Sequence, residues 1–138
     1  MIQPDMDNVY TGNAPSLTGL SDVERYTVAI HWVGAGANLI RGSKLTGIDS
    51  LCQTLLYDPE VLSVAGFTAN YPMQPKTPFG AIRPGSQASG QLQAWIAGPD
   101  SQNQNTVVVL ANCGLDQGQG GFGSHLEGVQ FVNISLAL

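Results

Sequence analysis

Among the ten carboxylates in this chain of 138 residues, Asp5 and Asp7 are the pair that falls beside an expected strand end. Two positions apart in an extended segment, they would project to one side, which is the local pairing that general acid/base work would look for. The same spacing also suits a solvated turn, which is the commoner reading. His31 sits beside Trp32 within a helical stretch, and His125 sits in a glycine-rich loop. Neither has a ligand-type neighbour at metal spacing, so both read as structural or surface residues, and no metal or other cofactor is expected. Cys52 and Cys113 also stand apart from any second Cys or His, and two free buried thiols or one bridge both fit them. There is no Gly-x-Ser-x-Gly elbow and no Cys/His pairing, so serine or thiol hydrolase chemistry has no support.

Two further motifs carry possible chemistry. Gly118-Gln-Gly-Gly-Phe-Gly123 satisfies the spacing of a dinucleotide loop and follows an apolar strand. Such a loop needs a helix to open directly after it and an acidic residue about 20 positions on. Residues 124–128 are too few before the next strand, and no acid follows at that distance, so the segment reads as a flexible β connection. Asn133-Ile-Ser135 is an N-glycosylation sequon. In an alternating strand with Val132, Ile134 and Leu136 inward, Asn133 faces outward and can carry a glycan.

The elements that must position these residues follow from period and capping. Residues 1–20 hold Pro4, Gly12, Asn13, Pro15 and Gly19 with no period, which predicts a loop after a short extended start. Ser21-Asp22-Val23-Glu24 is a capping box that opens a helix. Val23, Tyr26, Ile30, Val33 and Ala37 give that helix one apolar face, and Gly34 with Gly36 ends it. Residues 38–41 then predict a short buried parallel strand. A second helix is expected from Thr46, acting as cap, through Leu56. A third starts at Asp58, with Pro59 at its first position, and stops at Gly66. Residues 71–90, with Pro72, Pro75, Pro78, Pro84 and three glycines, form a linker. Beyond it the period is two: residues 91–97, 106–111 and 129–136 predict antiparallel strands, with a turn from Gly98 to Asn105.

Composition narrows the class. Formal charge is −5, only 11% of residues are charged, and Lys and Arg never cluster, which argues against nucleic-acid partners. The apolar stretches are far shorter than the roughly 20 residues of a membrane span, so no membrane partner is expected. The N-terminus is neither basic nor followed by an apolar block and is not a signal peptide. A polar, weakly charged surface nonetheless suits a secreted parent protein.

Residues 31–58, with Pro4-Asp5-Met6 ahead and the glycine-rich β segment behind, resemble the C-terminal part of family 27 glycoside hydrolases, the α-galactosidases, in their fungal form. Pro4-Asp5-Met6 matches the family's Asp-Pro-Asp-Met at the end of barrel strand seven. Residues 32–45 look like helix seven and strand eight, and residues 49–65 like the last barrel helices. Gln91-Leu-Gln-Ala-Trp-Ile-Ala-Gly-Pro99 and residues 107–123 look like the opening strands of the C-terminal antiparallel domain. The resemblance implies an α/β plus β chain. Residues 1–70 would be the terminal βα units of a (β/α)8 TIM barrel, 71–90 a Pro/Gly linker, and 91–138 part of an antiparallel β-sandwich.

The family works by double displacement with retention, using two aspartates about 5 Å apart. Matching order along the chain puts both upstream of Met1, so no catalytic residue is expected here. Asp5 and Met6 carry over as substrate-binding residues that shape the pocket near the galactose. Gln3 and Lys44 each stand where the family pattern usually has an aspartate. Laid over the family, the chain begins within the barrel and ends within the β domain, which implies a gene fragment, a mis-drawn gene model or a degenerating copy. A galactose-containing saccharide is then the partner of the complete parent. The chain alone would be inactive and, with an apolar barrel face uncovered, would self-associate. The alternative is a non-catalytic β-type carbohydrate-binding or interaction module in residues 91–138, presenting Trp95 and Phe122. Its three visible strands are fewer than a free-standing sandwich wants.

Overall fold

The computed structural model describes residues 4–76 and 90–115. The chain divides into two compact units, Met1–Met73 and Gln74–Leu138, and each is described by itself. Among the described residues the architecture is a set of helices followed by a three-stranded antiparallel sheet.

In the first unit Val9 and Arg41 form an isolated parallel bridge, and the chain between them carries helices α1 (Pro15–Thr18) and α2 (Asp22–Gly34). The Val9 amide donates to the Ile40 carbonyl at 2.8 Å, and the Gly42 amide donates to the Val9 carbonyl at 3.1 Å. The buried parallel strand expected at residues 38–41 is thus reduced to one bridge, and Ile40 is 52% exposed. A buried parallel strand needs neighbours at both edges and cover on both faces, and Val9 supplies one edge.

The capping box at Ser21 forms as the sequence predicts. The Glu24 amide donates to Ser21 Oγ, and the Ser21 amide donates to Glu24 Oε2 at 2.7 Å. The helix ends at Gly34, and Gly36 follows with φ +64°. Its buried face, however, differs from the expected one. Arg25, Ala29, Val33 and Gly34 are buried, while Val23 and Tyr26 are exposed. The period is right and the phase is turned by one residue, roughly 100°, because Arg25 is inside. Val28, Ala29 and Trp32 on this face pack with Val9, Ile48, Leu51, Cys52, Leu55 and Leu56 to make the core.

After a single 3₁₀ turn at Leu45–Gly47 come α3 (Ser50–Tyr57) and α4 (Pro59–Asn70). The cap of α3 is Asp49, not Thr46: the Asp49 carboxylate accepts from the Cys52 amide at 2.9 Å. A carboxylate is the better N-cap acceptor, and the bridge between Ile48 and Asn13 keeps the preceding residues extended. Asp58 caps α4 with Pro59 at its first position, as expected. The helix then passes through Gly66 to Asn70. A helical glycine costs only about 1 kcal/mol, and packing beyond it offsets this: Thr68 is fully buried and its hydroxyl donates to the Val33 carbonyl of α2.

In the second unit, β2 (Gly90–Ala97) pairs with β3 (Val107–Leu115), placing Ala94 opposite Leu110 and Ile96 opposite Val108. These are the first two strands that the alternation predicts. Gln74–Pro75 form a short edge strand, β1, against Ile96 and Trp95, although both residues fall in the expected linker. Proline is tolerated there because an edge position asks no amide of it. Asp100 closes the β2–β3 turn: its carboxylate accepts from the amides of Gln102, Asn103 and Asn105 at 2.9, 2.6 and 3.3 Å. The remaining linker residues, the strand expected at residues 129–136 and the glycine-rich segment 118–123 lie outside the described residues.

Candidate functional site

The two loops that follow the parallel bridge, residues 10–13 and 42–49, are bolted together by side chains. Ser43 Oγ accepts from the Gly12 amide at 2.9 Å. The Asn13 side chain donates to the carbonyls of Lys44 and Gly47 at 3.0 and 2.6 Å and accepts from the Lys44 amide at 2.7 Å. The Asp49 amide closes the loop by donating to the Gly12 carbonyl at 3.3 Å. The Tyr10 ring crosses Gly42 closely: a Cβ there would come within 2.5 Å of Tyr10 Cε1, so the half-exposed ring would have to turn aside.

Beneath these loops lies a charged group that the sequence pattern hides. Arg25 is 1% exposed, and its Nε and Nη2 both donate to the Thr11 carbonyl, at 3.0 and 2.9 Å. Nη2 also reaches Asp49 Oδ1 at 2.6 Å, and Nη1 reaches Asp22 Oδ1 at 2.9 Å. The hydrogen bond from Arg25 holds the Asp49 carboxyl below its ordinary pKa, against the opposing pull of burial. The same bond raises Arg25 above its already high value, so the pair favours the charged form of both groups. The signal for this site was Arg25 itself, three residues after Asp22 and on one helical stripe with Val28, Ala29 and Trp32.

The residues singled out from sequence are not brought together. Asp5 and Asp7 do not project as an extended pair: Asp5 Oδ1 accepts from the Asp7 amide at 3.0 Å, and Asp7 has φ +63°. This is the solvated turn, exposed at both carboxylates. Met6 between them is half-buried, and all three precede the bridge at Val9. Lys44 is exposed, with its backbone fixed by Asn13. His31 turns its ring back on its own helix, Nδ1 lying 2.7 Å from the Thr27 carbonyl. Cys52 is buried with a free thiol, which burial pushes up in pKa and so keeps protonated. Trp95 is half-buried on β2. Among the described residues no group of three or more His, Cys, Asp or Glu could hold a metal, and no helix is long and apolar enough to cross a membrane. Gln3, Phe122, His125, the Cys113 side chain and Asn133 lie outside the described residues.

Most described carboxylates therefore act as structural acceptors: Asp5, Asp22, Glu24, Asp49, Asp58 and Asp100 each accept a bond from the chain. The arrangement is a scaffold. Its centre is one parallel bridge, Val9 with Arg41, spanned by α1 and α2 and followed on both sides by the bolted loops. By sequence the chain is similar to two alpha-galactosidases. Alpha-galactosidase 3 of Hypocrea jecorina is 46% identical over 135 residues, which are 98% of this chain and 21% of that protein. A protein named provisionally as alpha-galactosidase 8 in Emericella nidulans is 36% identical over 136 residues, 99% of this chain and 26% of that protein. The chain thus spans a fifth to a quarter of the length of these curated relatives. The likeness expected from residues 4–6 and 31–58 is borne out. No family model and no solved structure matches the chain.

Proposed function

We propose that the chain is the C-terminal portion of a retaining α-galactosidase that hydrolyses terminal α-galactosidic bonds in oligo- or polysaccharides. The observation that carries this reading is the 46% identity to alpha-galactosidase 3 along 98% of the chain. The parallel bridge of Val9 with Arg41, spanned by α1 and α2, supports assigning the first unit to the last strands and helices of a (β/α)8 barrel. The antiparallel strands β2 and β3 support assigning the second unit to the start of a β-sandwich.

In this reading the nucleophile and the acid/base aspartate belong to earlier barrel strands of the parent, and the chain contributes pocket wall. Asp5 and Met6 are the proposed substrate-binding residues. They would shape the galactose pocket, and the chain alone would not break the glycosidic bond. With Ile40, Val23, Tyr26 and Leu45 exposed, the isolated chain would self-associate. The parent would be secreted, with a glycan on Asn133.

The test is a hybrid enzyme: the homologous segment of alpha-galactosidase 3 is replaced by these 138 residues, and turnover of an aryl α-galactoside is measured beside the isolated chain. The reading expects an active hybrid and an inactive chain. A hybrid that folds yet fails to hydrolyse, or an isolated chain that turns over substrate above the buffer rate, overturns it.

A further inference from the structure

We infer that Arg25 is a positioning residue that makes the two loops after the parallel bridge move as one body and so sets how tightly the site they border holds its saccharide. The inference rests on the galactosidase reading for the ligand and on the geometry for the coupling.

Arg25 joins three parts of the chain that are distant in sequence. Its two donors to the Thr11 carbonyl span 14 positions, and its ion pair with Asp49 spans 24. Thr11 is fully buried, and its hydroxyl has no hydrogen-bond partner among the described residues, so the carbonyl fork is how this residue is oriented. Two residues earlier, Val9 holds the parallel bridge. Two residues later, Asn13 holds Lys44 and Gly47. At the other end, Asp49 starts α3 and returns its amide to Gly12. The guanidinium therefore closes a ring of contacts through both loops.

No other side chain could make this set of bonds. The planar fork satisfies one carbonyl and two carboxylates at fixed angles, whereas a lysine ammonium is a point charge that must choose among them. A buried ion network of this kind adds little net stability, since desolvation offsets the attraction, while it specifies one geometry strongly. Loops after parallel strands carry the binding groups of βα enzymes. Holding two of them at one separation affects ground state and transition state alike and therefore acts on KM rather than kcat.

The experiment compares Arg25→Lys, Arg25→Met and Asp49→Asn. Hydrogen exchange on the full 138-residue chain reads the loops, and steady-state kinetics on the hybrid enzyme reads the saccharide. Arg25→Lys keeps charge and bulk, so it is the variant expected to fold. Asp49→Asn keeps an acceptor for the Cys52 amide while removing the ion pair. For Arg25→Lys, amide protection is expected to fall together in residues 9–13 and 42–49 and to persist in α4, with KM raised about tenfold and kcat within about twofold. Asp49→Asn should move both readouts the same way by less. Protection lost in one loop alone, or lost evenly across α2 to α4, overturns the coupling, as does an unchanged KM in an active hybrid. A folded but inactive wild-type hybrid overturns the galactosidase reading instead, and the exchange result then decides the coupling by itself.

Discussion

Asp49 sets one carboxylate oxygen 2.6 Å from Arg25 Nη2 and 2.9 Å from the Cys52 amide. A single atom thus holds the ion pair with α2 and the N-cap of α3. The other partner of Arg25, Asp22, is 64% exposed against 30% for Asp49, so the pair with Asp49 is the less screened of the two.

The first prediction follows from that oxygen. Arg25 lowers the Asp49 pKa in the folded chain, and Ser21 does the same for Glu24. A carboxylate whose folded value is depressed contributes stability that is complete above its unfolded value of about 4 and disappears as pH falls through the folded value. Denaturant midpoints should therefore hold steady on descending to about pH 5 and then drop as pH falls further through the depressed folded values. Asp49→Asn should lower the plateau and flatten the acid limb. A variant whose acid limb matches the wild type would remove Asp49 from the explanation.

Two glycines with similar backbone angles should respond differently to alanine. Gly36 has φ +64°, and a Cβ there would lie 2.6 Å from the Thr68 carbonyl oxygen of α4, a backbone atom that cannot turn aside. Gly19 has φ +73° with nothing within 4 Å. Gly19→Ala should cost about 1 kcal/mol for the left-handed conformation alone. Gly36→Ala should cost about 1–3 kcal/mol more from the forced separation of α2 and α4. Equal losses in chemical denaturation would show that the crossing of α2 and α4 is not as close as described.

These same helices show what the sequence made legible. Two of the three expected caps were readable because they are local: Ser21 accepts from the Glu24 amide and Asp58 from the Glu60 amide and ask nothing of the rest of the chain, whereas the start of α3 at Asp49 instead of Thr46 goes with the distant bridge between Ile48 and Asn13. The phase of α2 was not readable, because a hydropathy pattern assigns arginine to solvent, and only the arrival of Thr11 and Asp49 makes burial of Arg25 affordable. The extension of α4 past Gly66 depends likewise on a partner, Val33, 35 positions from Thr68. Asp5 and Asp7 took the commoner of their two readings, the solvated turn, for a local reason. Projection to one side assumes an extended backbone, whereas Asp5 bonds the Asp7 amide and turns it. Strands β2 and β3 alternate strongly enough to be read directly, but the pairing of Gln74–Pro75 is set by the edge of β2 and not by any period of its own.

Asn13 is the bolt between the loops, 3% exposed and engaged through both ends of its amide. Asn13→Ala removes three hydrogen bonds and leaves partly buried groups of Lys44 and Gly47 unpaired, at a cost of about 2–3 kcal/mol. Asn13→Asp should cost at least as much, since it aims a carboxylate at two carbonyl oxygens. Ser43→Ala removes one acceptor and should cost about 1 kcal/mol. Thermal unfolding of the three variants gives the order, and a Ser43→Ala loss exceeding that of Asn13→Ala would reverse the assignment of the bolt.

Cys52 offers a reporter for the first unit. Its thiol is fully buried, burial raises its pKa, and its sulfur lies against Gly12 beneath the bolted loops. In a Cys113→Ser variant the remaining thiol should react with a soluble disulfide reagent far more slowly than a free cysteine, because both the thiolate fraction and access are low. Its rate should then rise with denaturant alongside unfolding. Coupled to Arg25→Lys, the native rate should increase before global unfolding begins, since the loop over the sulfur is released first. Reaction at the free-cysteine rate in native buffer would mean that the core around Val9, Cys52 and Leu55 is open, and would remove the packed scaffold on which the loop coupling depends.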